Sequence, residues 1–208
     1  MAVIQEINRI KEIMNIISEN RSDDDITKDN VFYDFDIDQF KNNPPPKDNS
    51  KKTKEELEYI SNIELDKRFV QSRDKIGDNF FDFLDSKDVD YNKEFLKKIK
   101  NDSVGVIQTL KKHYKRPRPF KLDSDLKDPM LKSTKGYSYP SGHSTQSNLL
   151  RLILTHLYPK YKKDFDKITK DIVYSRQMAK AHYPSDIKFG EKLAKKLFEY
   201  LKDNDLLH

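Results

Sequence analysis

Apolar residues recur at helical spacing along most of this chain. Ile4, Ile7, Ile10, Met14 and Ile17, with Ile13 beside them, predict an amphipathic helix over 3–18 that needs a partner surface. Residues 19–31 are polar and acidic and read as a linker. Its Ser22-Asp23-Asp24-Asp25 run lacks the regular ligand spacing and turn glycine of a calcium loop. Phe32, Tyr33, Phe35 and Phe40 predict an extended segment laid on the body, and Pro44-Pro45-Pro46 a semi-rigid spacer.

A helix is expected from about Ser50, with Glu55 and Glu56 in its first turns. Leu57, Ile60, Ile63, Leu65, Phe69 and Val70 continue its stripe to about Arg73. A second segment carries Ile76, Phe80, Phe81, Phe83 and Leu84 up to a polar turn at 86–90. The next helix covers about 93–114 and is stopped by Pro117 and Pro119. Residues 120–138 read as a long loop, a length that often marks function.

The helix after His143 is apolar on most faces (Leu149, Leu150, Leu152, Ile153, Leu154, Leu157). It is therefore expected at the centre, ending at Pro159. Two more helices are expected over about 163–181 and 185–201. The pattern contains no internal repeat and no clear strand. It predicts an all-α helical bundle with three polar corners at 111–119, 140–143 and 176–186.

Composition narrows the picture. Of 208 residues, 36% are charged and 35% hydrophobic, which suits helices with solvated faces. Only five glycines argue against an all-β fold. The formal net charge of +5 fits an anionic substrate, and equally a nucleic-acid or membrane-surface partner. The absence of cysteine excludes disulfides and thiolate metal sites. No apolar run approaches the ~20 residues of a membrane span. The location expected is cytoplasmic if Met1 is the natural start, and periplasmic or secreted if the chain is a mature fragment.

Each corner has its own chemistry. Tyr139-Pro140-Ser141-Gly142-His143 opens a helix, so unpaired N–H groups, the Ser141 hydroxyl and His143 converge on one spot. Gly142 lets a ligand approach the backbone. A plain helix cap would use the same residues. The basic run 111–121, which holds Lys111 and Arg118, reads either as a phosphate clamp or as a nucleic-acid patch. Aromatic interleaving is thin for the second. In the third corner Arg176 precedes His182 and Asp186. The spacing across Pro184 lets the Asp186 carboxylate reach one nitrogen of His182 and fix its tautomer, although a capping Asp beside a surface His would look alike.

Taken together, Lys111…Arg118-Pro119, Pro140-Ser141-Gly142-His143 and Ser175-Arg176…His182…Asp186 resemble the three-block signature of the phosphatidic acid phosphatase type 2 superfamily. That superfamily includes bacterial class A acid phosphatases and vanadium haloperoxidases. Pro44-Pro45-Pro46 followed by Ser50 and a Glu-Leu helix, with 111–120, 138–145 and 182–186, resembles the class A enzymes in particular. The likeness covers roughly 36–202. The organisation expected is an N-terminal helix and linker over 1–35 and a helical phosphatase-like domain over 36–208.

The resemblance implies a phosphomonoesterase with an acid-side optimum. His182 is the nucleophile that becomes a phosphohistidine, His143 the acid and base for the leaving alcohol, and Asp186 the support of His182. Lys111, Arg118, Ser141, Gly142 and Arg176 hold the phosphate. It implies no metal or other cofactor, a small phosphorylated substrate and no nucleic acid. A second subunit is one candidate to cover the face of 3–18. A lipid or isoprenoid (di)phosphate phosphatase is the alternative, and a vanadium-dependent haloperoxidase follows it. Two departures stand out. Residues 1–17, amphipathic and charged, are not expected to be the usual secretion signal, and Lys180 replaces a common glycine, adding a cation expected near the rim.

Overall fold

The computed structural model describes residues 26–126, 131 and 134–207. The amphipathic helix foreseen over 3–18 lies outside them. The described residues form α1 (Lys51–Ser61), α2 (Lys67–Ser72), α3 (Ile76–Asp85), α4 (Lys93–Tyr114), α5 (Pro119–Leu122), α6 (Gly142–Leu157), α7 (Lys162–Met178) and α8 (Pro184–Asp203). Two 3-10 turns, Asp38–Phe40 and Pro159–Tyr161, join them. Among the described residues there is no strand, and no helix is long and apolar enough to cross a membrane. The all-α bundle is the expected one.

Helix α6 is the centre, as its apolar faces predict. It packs on α8, α7, α4 and α3, and Leu149, Leu150, Ile153 and Leu154 are fully buried. Caps explain the helix starts. The side chains of Ser50, Asp66, Asn92 and Ser141 each accept a backbone N–H from the first turn of the helix that follows.

Several boundaries differ from expectation. The stripe foreseen to Arg73 is two helices, because Asn62 ends α1 and Asp66 starts α2. Thr53 and Glu56, not only Ile60, face inward from α1. Helix α4 covers Lys93–Tyr114 as expected and is closed by left-handed Lys115 ahead of the prolines, whereas Pro119 opens α5, whose residues 120–122 lie in the stretch expected as loop. Helix α7 stops at Met178, where Ala179 and left-handed Lys180 turn the chain. Residues 32–40 are turns and a 3-10 turn rather than extended chain. Phe32, Phe35 and Phe40 reach the main core, while Tyr33 is exposed.

Candidate active site

The three polar corners meet at the N-terminal end of α6. A cavity of about 200 Å³ lies between Lys111, Arg118, Gly142, His143 and His182, with Val104, Ile107 and Gln108 of α4 and Gln146 of α6 completing its wall. A larger groove of about 880 Å³ runs along α8 past Pro44, Leu152 and Phe198, and none of the predicted site residues lines it.

His182 stands in the turn between α7 and α8 and is 3% exposed. Its Nδ1 is 3.2 Å from Asp186 Oδ2, and its Nε2 is 3.1 Å from Arg118 Nη1. A guanidinium only donates and an ionised carboxylate only accepts. The two neighbours therefore select one neutral tautomer, with the proton on Nδ1 and the lone pair on Nε2. Burial lowers the pKa of His182 well below the ordinary histidine value, and the nearby Arg118, Lys111, His143 and Arg176 add to that.

Asp186, fully buried in the first turn of α8, serves three donors. Its Oδ2 also accepts the Tyr183 N–H at 3.0 Å, and its Oδ1 pairs with Arg116 Nη1 at 2.7 Å. It is thus both a helix cap and a histidine partner. Burial pushes its carboxyl up, while Arg116 and the Tyr183 N–H pull it back. Arg116 stacks 3.7 Å over the Tyr183 ring and donates to Ser185 Oγ at 2.7 Å and Glu56 Oε2 at 3.3 Å. Glu56 in turn accepts the Ser185 N–H and hydroxyl at 2.9 and 2.8 Å. Helix α1 is thereby bolted to the start of α8.

Two cations of the cavity are anchored by carbonyls. Lys111 Nζ donates to Tyr137 O at 2.6 Å and Ser138 O at 3.1 Å. Arg118 donates to Gly136 O at 3.2 Å and Ala181 O at 2.9 Å. Burial, with Arg118 close by, pushes the Lys111 ammonium well below its ordinary pKa. Ser141, wholly buried, accepts the Ser144 N–H with its hydroxyl oxygen, which leaves its proton to donate. At Gly142 an added Cβ would meet only Ile107, at 3.8 Å, so the fold itself does not require glycine there. At Gly190 a Cβ would come within 2.8 Å of Ser141 O. That glycine lets α8 press against the turn before α6.

His143 and Arg176 share a partner that the sequence did not mark. Arg176 donates from Nη1 to Asp74 Oδ1 at 2.7 Å, from Nη2 to Val70 O at 3.0 Å and from Nε to Ser175 Oγ at 3.0 Å. His143 Nε2 is 3.1 Å from the same Asp74 Oδ1 and 3.0 Å from Asp74 O. Burial lowers the pKa of His143, Asp74 opposes that, and Arg176 adds to it.

Lys111, Arg118, Gly142, His143 and His182 therefore line one cavity. Asp186 lies behind His182, Ser141 caps the adjoining helix, and Arg176 reaches the group through His143 and Asp74. Lys180 is not at this rim: its ammonium is bonded to the carbonyls of Ile60, Ser61 and Ile63 at the end of α1. Sequence reasoning missed Asp74, Glu56, Arg116 and Ser185. Arg116 and Ser185 stand inside the quoted corners, but only their neighbours suggested roles. Among the described residues, no group of three or more His, Asp or Glu is arranged to hold a metal ion.

Comparison with known proteins matches residues 103–194 to the PAP2 superfamily. The non-specific acid phosphatase of Salmonella typhi is 34% identical over 95 residues, 44% of this chain and 38% of that protein. The non-specific acid phosphatase of Salmonella typhimurium strain LT2 is 35% identical over 83 residues, 38% of this chain and 33% of that protein. The chain thus spans well under half the length of the curated relatives it matches. Every residue of the three blocks falls within 103–194, whereas Glu56 and Asp74 fall outside it.

Proposed function

Starting from residues 103–194 as a stretch of the PAP2 superfamily, we propose that this chain is a phosphatase that hydrolyses phosphate monoesters through a phosphohistidine at His182, without a metal ion. The observation that carries this reading is the unprotonated Nε2 of His182, which accepts from Arg118 while Asp186 holds the proton on the far nitrogen. His182 lines a cavity together with two cations and a second histidine.

The reaction has two steps. His182 Nε2 attacks phosphorus, the P–O bond to the alcohol breaks, and His143 gives a proton to the departing oxygen. Water then attacks the phosphohistidine and gives a proton to His143. The P–N bond breaks, and phosphate leaves with His182 neutral again. Lys111 and Arg118 surround the equatorial oxygens, where negative charge sits in the transition state. The N–H groups opening α6 and the Ser141 hydroxyl complete the cradle, and Arg176 adds a further charge beside them. Asp186 stabilises the cation that forms when His182 is phosphorylated.

The electrostatics support an acid-side optimum. Activity requires His182 neutral and His143 protonated. It rises with pH through the value for His182 and falls through the value for His143. Both lie below the ordinary histidine value, the former far below it. The size of the cavity supports broad tolerance of the alcohol. About 200 Å³ is less than sites that enclose drug-sized ligands (about 300–1,000 Å³), so the alcohol stays largely outside.

Rapid quenching with a phosphoryl-labelled ester tests the reading. Label is expected on the wild-type protein in an acid-labile linkage, and absent from His182→Ala. Vanadate, a mimic of the five-coordinate transition state, should inhibit at least ~10²-fold more tightly than substrate binds. Chelators should leave the rate unchanged. Loss of activity on chelation that returns with Mg²⁺ or Zn²⁺ would sink the metal-free scheme.

A further inference from the structure

We propose that Asp74 is a positioning and specificity residue: it holds the leaving-group acid in place and makes the site prefer esters of neutral alcohols over diphosphates. The proposal rests on the phosphatase reading and extends it to a residue outside the stretch shared with the superfamily.

The geometry is that of a bridge. Asp74 lies in the turn between α2 and α3. One carboxylate oxygen, Oδ1, touches Arg176 Nη1 at 2.7 Å and His143 Nε2 at 3.1 Å, and the backbone carbonyl of Asp74 supports the same Nε2 at 3.0 Å. Both oxygens only accept, and both lie closer to Nε2 than the Arg176 donor at 3.4 Å, so Nε2 of His143 carries a proton in either charge state. The proton exchanged with the leaving group is then the one on Nδ1, and the Asp74 charge favours its presence. The chain thus contains two His–Asp pairs of opposite sense. Asp186 leaves His182 a lone pair, and Asp74 keeps His143 a donor.

The surroundings make the charge of Asp74 matter. His143 is faced by Arg176 from α7, Lys111 from α4, Arg118 after α4 and His182 from the turn before α8. Arg176 opposes a proton on His143, and Asp74 opposes Arg176. Its side chain is 31% exposed, against 12% for His143 and 1% for Arg176, so it stands on the outer side of the pair. A departing oxygen must come to Nδ1 of His143, so what it carries lies one imidazole away from Asp74. A neutral alkyl or aryl group meets no penalty there, whereas a second phosphate is brought toward a fixed negative charge.

Asp74→Asn keeps an acceptor of the same shape and removes the charge. In the full-length protein, kcat/KM would be measured against pH for phenyl phosphate and for phenyl diphosphate. The imidazole of His143 would be titrated by NMR alongside. The expected result is a fall of about one pH unit in the His143 midpoint and in the alkaline limb of the profile. The preference for the monophosphate should shrink about tenfold. Asp74→Glu, which restores the charge, should recover the preference, and it stands in if the Asn variant does not fold. Equal losses on both substrates with an unmoved limb and midpoint would mean a merely structural role and overturn the proposal. If the wild type hydrolyses neither substrate, the phosphatase reading fails and the selectivity falls with it. In that case an unmoved His143 midpoint would reject the bridge separately.

Discussion

The two histidines of the cavity are held in opposite ways. Behind His182 lies a network with no access to water: Asp186, Arg116, Glu56 and Thr53 are all 2% exposed or less, and they join α1 to the start of α8. Behind His143 is a single carboxylate, Asp74, on a short turn and nearly a third exposed. In a low-dielectric interior a charge network is worth most when complete and costs most when broken. Around a partly solvated carboxylate, water softens any change. The proposed nucleophile is therefore built into the core, and its geometry is tied to the fold. The proposed acid, His143, opens the central helix, but the carboxylate it leans on sits on a partly exposed turn, where selectivity can be retuned at little cost to stability.

The largest effect is expected at the carboxylate of the buried side. Asp186→Asn keeps the size but offers an amide where two acceptor oxygens served His182, Tyr183 and Arg116. His182 then loses the partner that holds its proton on Nδ1. The corresponding change in a serine-protease triad costs about 10⁴ in kcat, and a loss of that order is expected here, with little trapped phosphoenzyme. Asp74→Asn should cost far less. If the two variants lose the same factor in kcat, the contrast between a fixed nucleophile and a tunable acid does not hold.

Much of this arrangement was legible in the sequence because it is local. Asn92 with the stripe of α4, and Ser141 with the apolar run of α6, announce helices through caps and periodicity. The His182–Asp186 contact spans four residues across a proline turn, so spacing alone suggested it. Arg116 to Glu56 spans 60 residues and Arg176 to Asp74 spans 102, and neither pair leaves any mark along the chain. Glu56 looked like an ordinary first-turn acid of α1, since nothing in a helical pattern says that its carboxylate points inward. Asp74 looked like a loop residue. Long-range ion pairs follow from how helices stack, and here the stacking depends on close approaches such as Gly190 against Ser141.

A smaller effect, on stability, is expected from Arg116→Met. The change removes the cation between Asp186 and Glu56 and leaves buried carboxylates without it. Breaking such a pair costs about 3–5 kcal/mol, measurable by urea denaturation near neutral pH. The sign of the pH dependence follows from Asp186. Its folded-state pKa is already raised by burial and would rise further without Arg116. A raised folded-state pKa favours folding below the unfolded value, and that contribution is lost as pH rises through the folded value. The deficit relative to wild type should therefore narrow as pH falls toward the carboxylate range. A deficit independent of pH would mean that the lost packing of Arg116 on Tyr183, not the charge, dominates.

The smallest effect is expected at Lys180, and it sharpens the contrast most cleanly. Lys180→Gly and Asp74→Asn each change the net charge near the site by one, but only Asp74 touches a residue that lines the cavity. Lys180 has a φ of +55°, where glycine is favoured over other residues by roughly 1 kcal/mol, so the substitution relieves the backbone. Against this, the ammonium leaves the carbonyls of Ile60, Ser61 and Ile63. A hydrogen bond contributes about 0.5–1.5 kcal/mol net, and less where water takes its place. The two terms oppose, so the melting midpoint should move little, and toward lower stability if the carbonyl bonds prevail. Because the side chain ties the His182 turn to the end of α1 and does not line the cavity, kcat/KM should stay within about twofold, and so should its ratio between phenyl phosphate and phenyl diphosphate. A ratio that moved as far as in Asp74→Asn would show that any charge nearby sets selectivity. An unmoved ratio would assign it to the carboxylate in contact with His143.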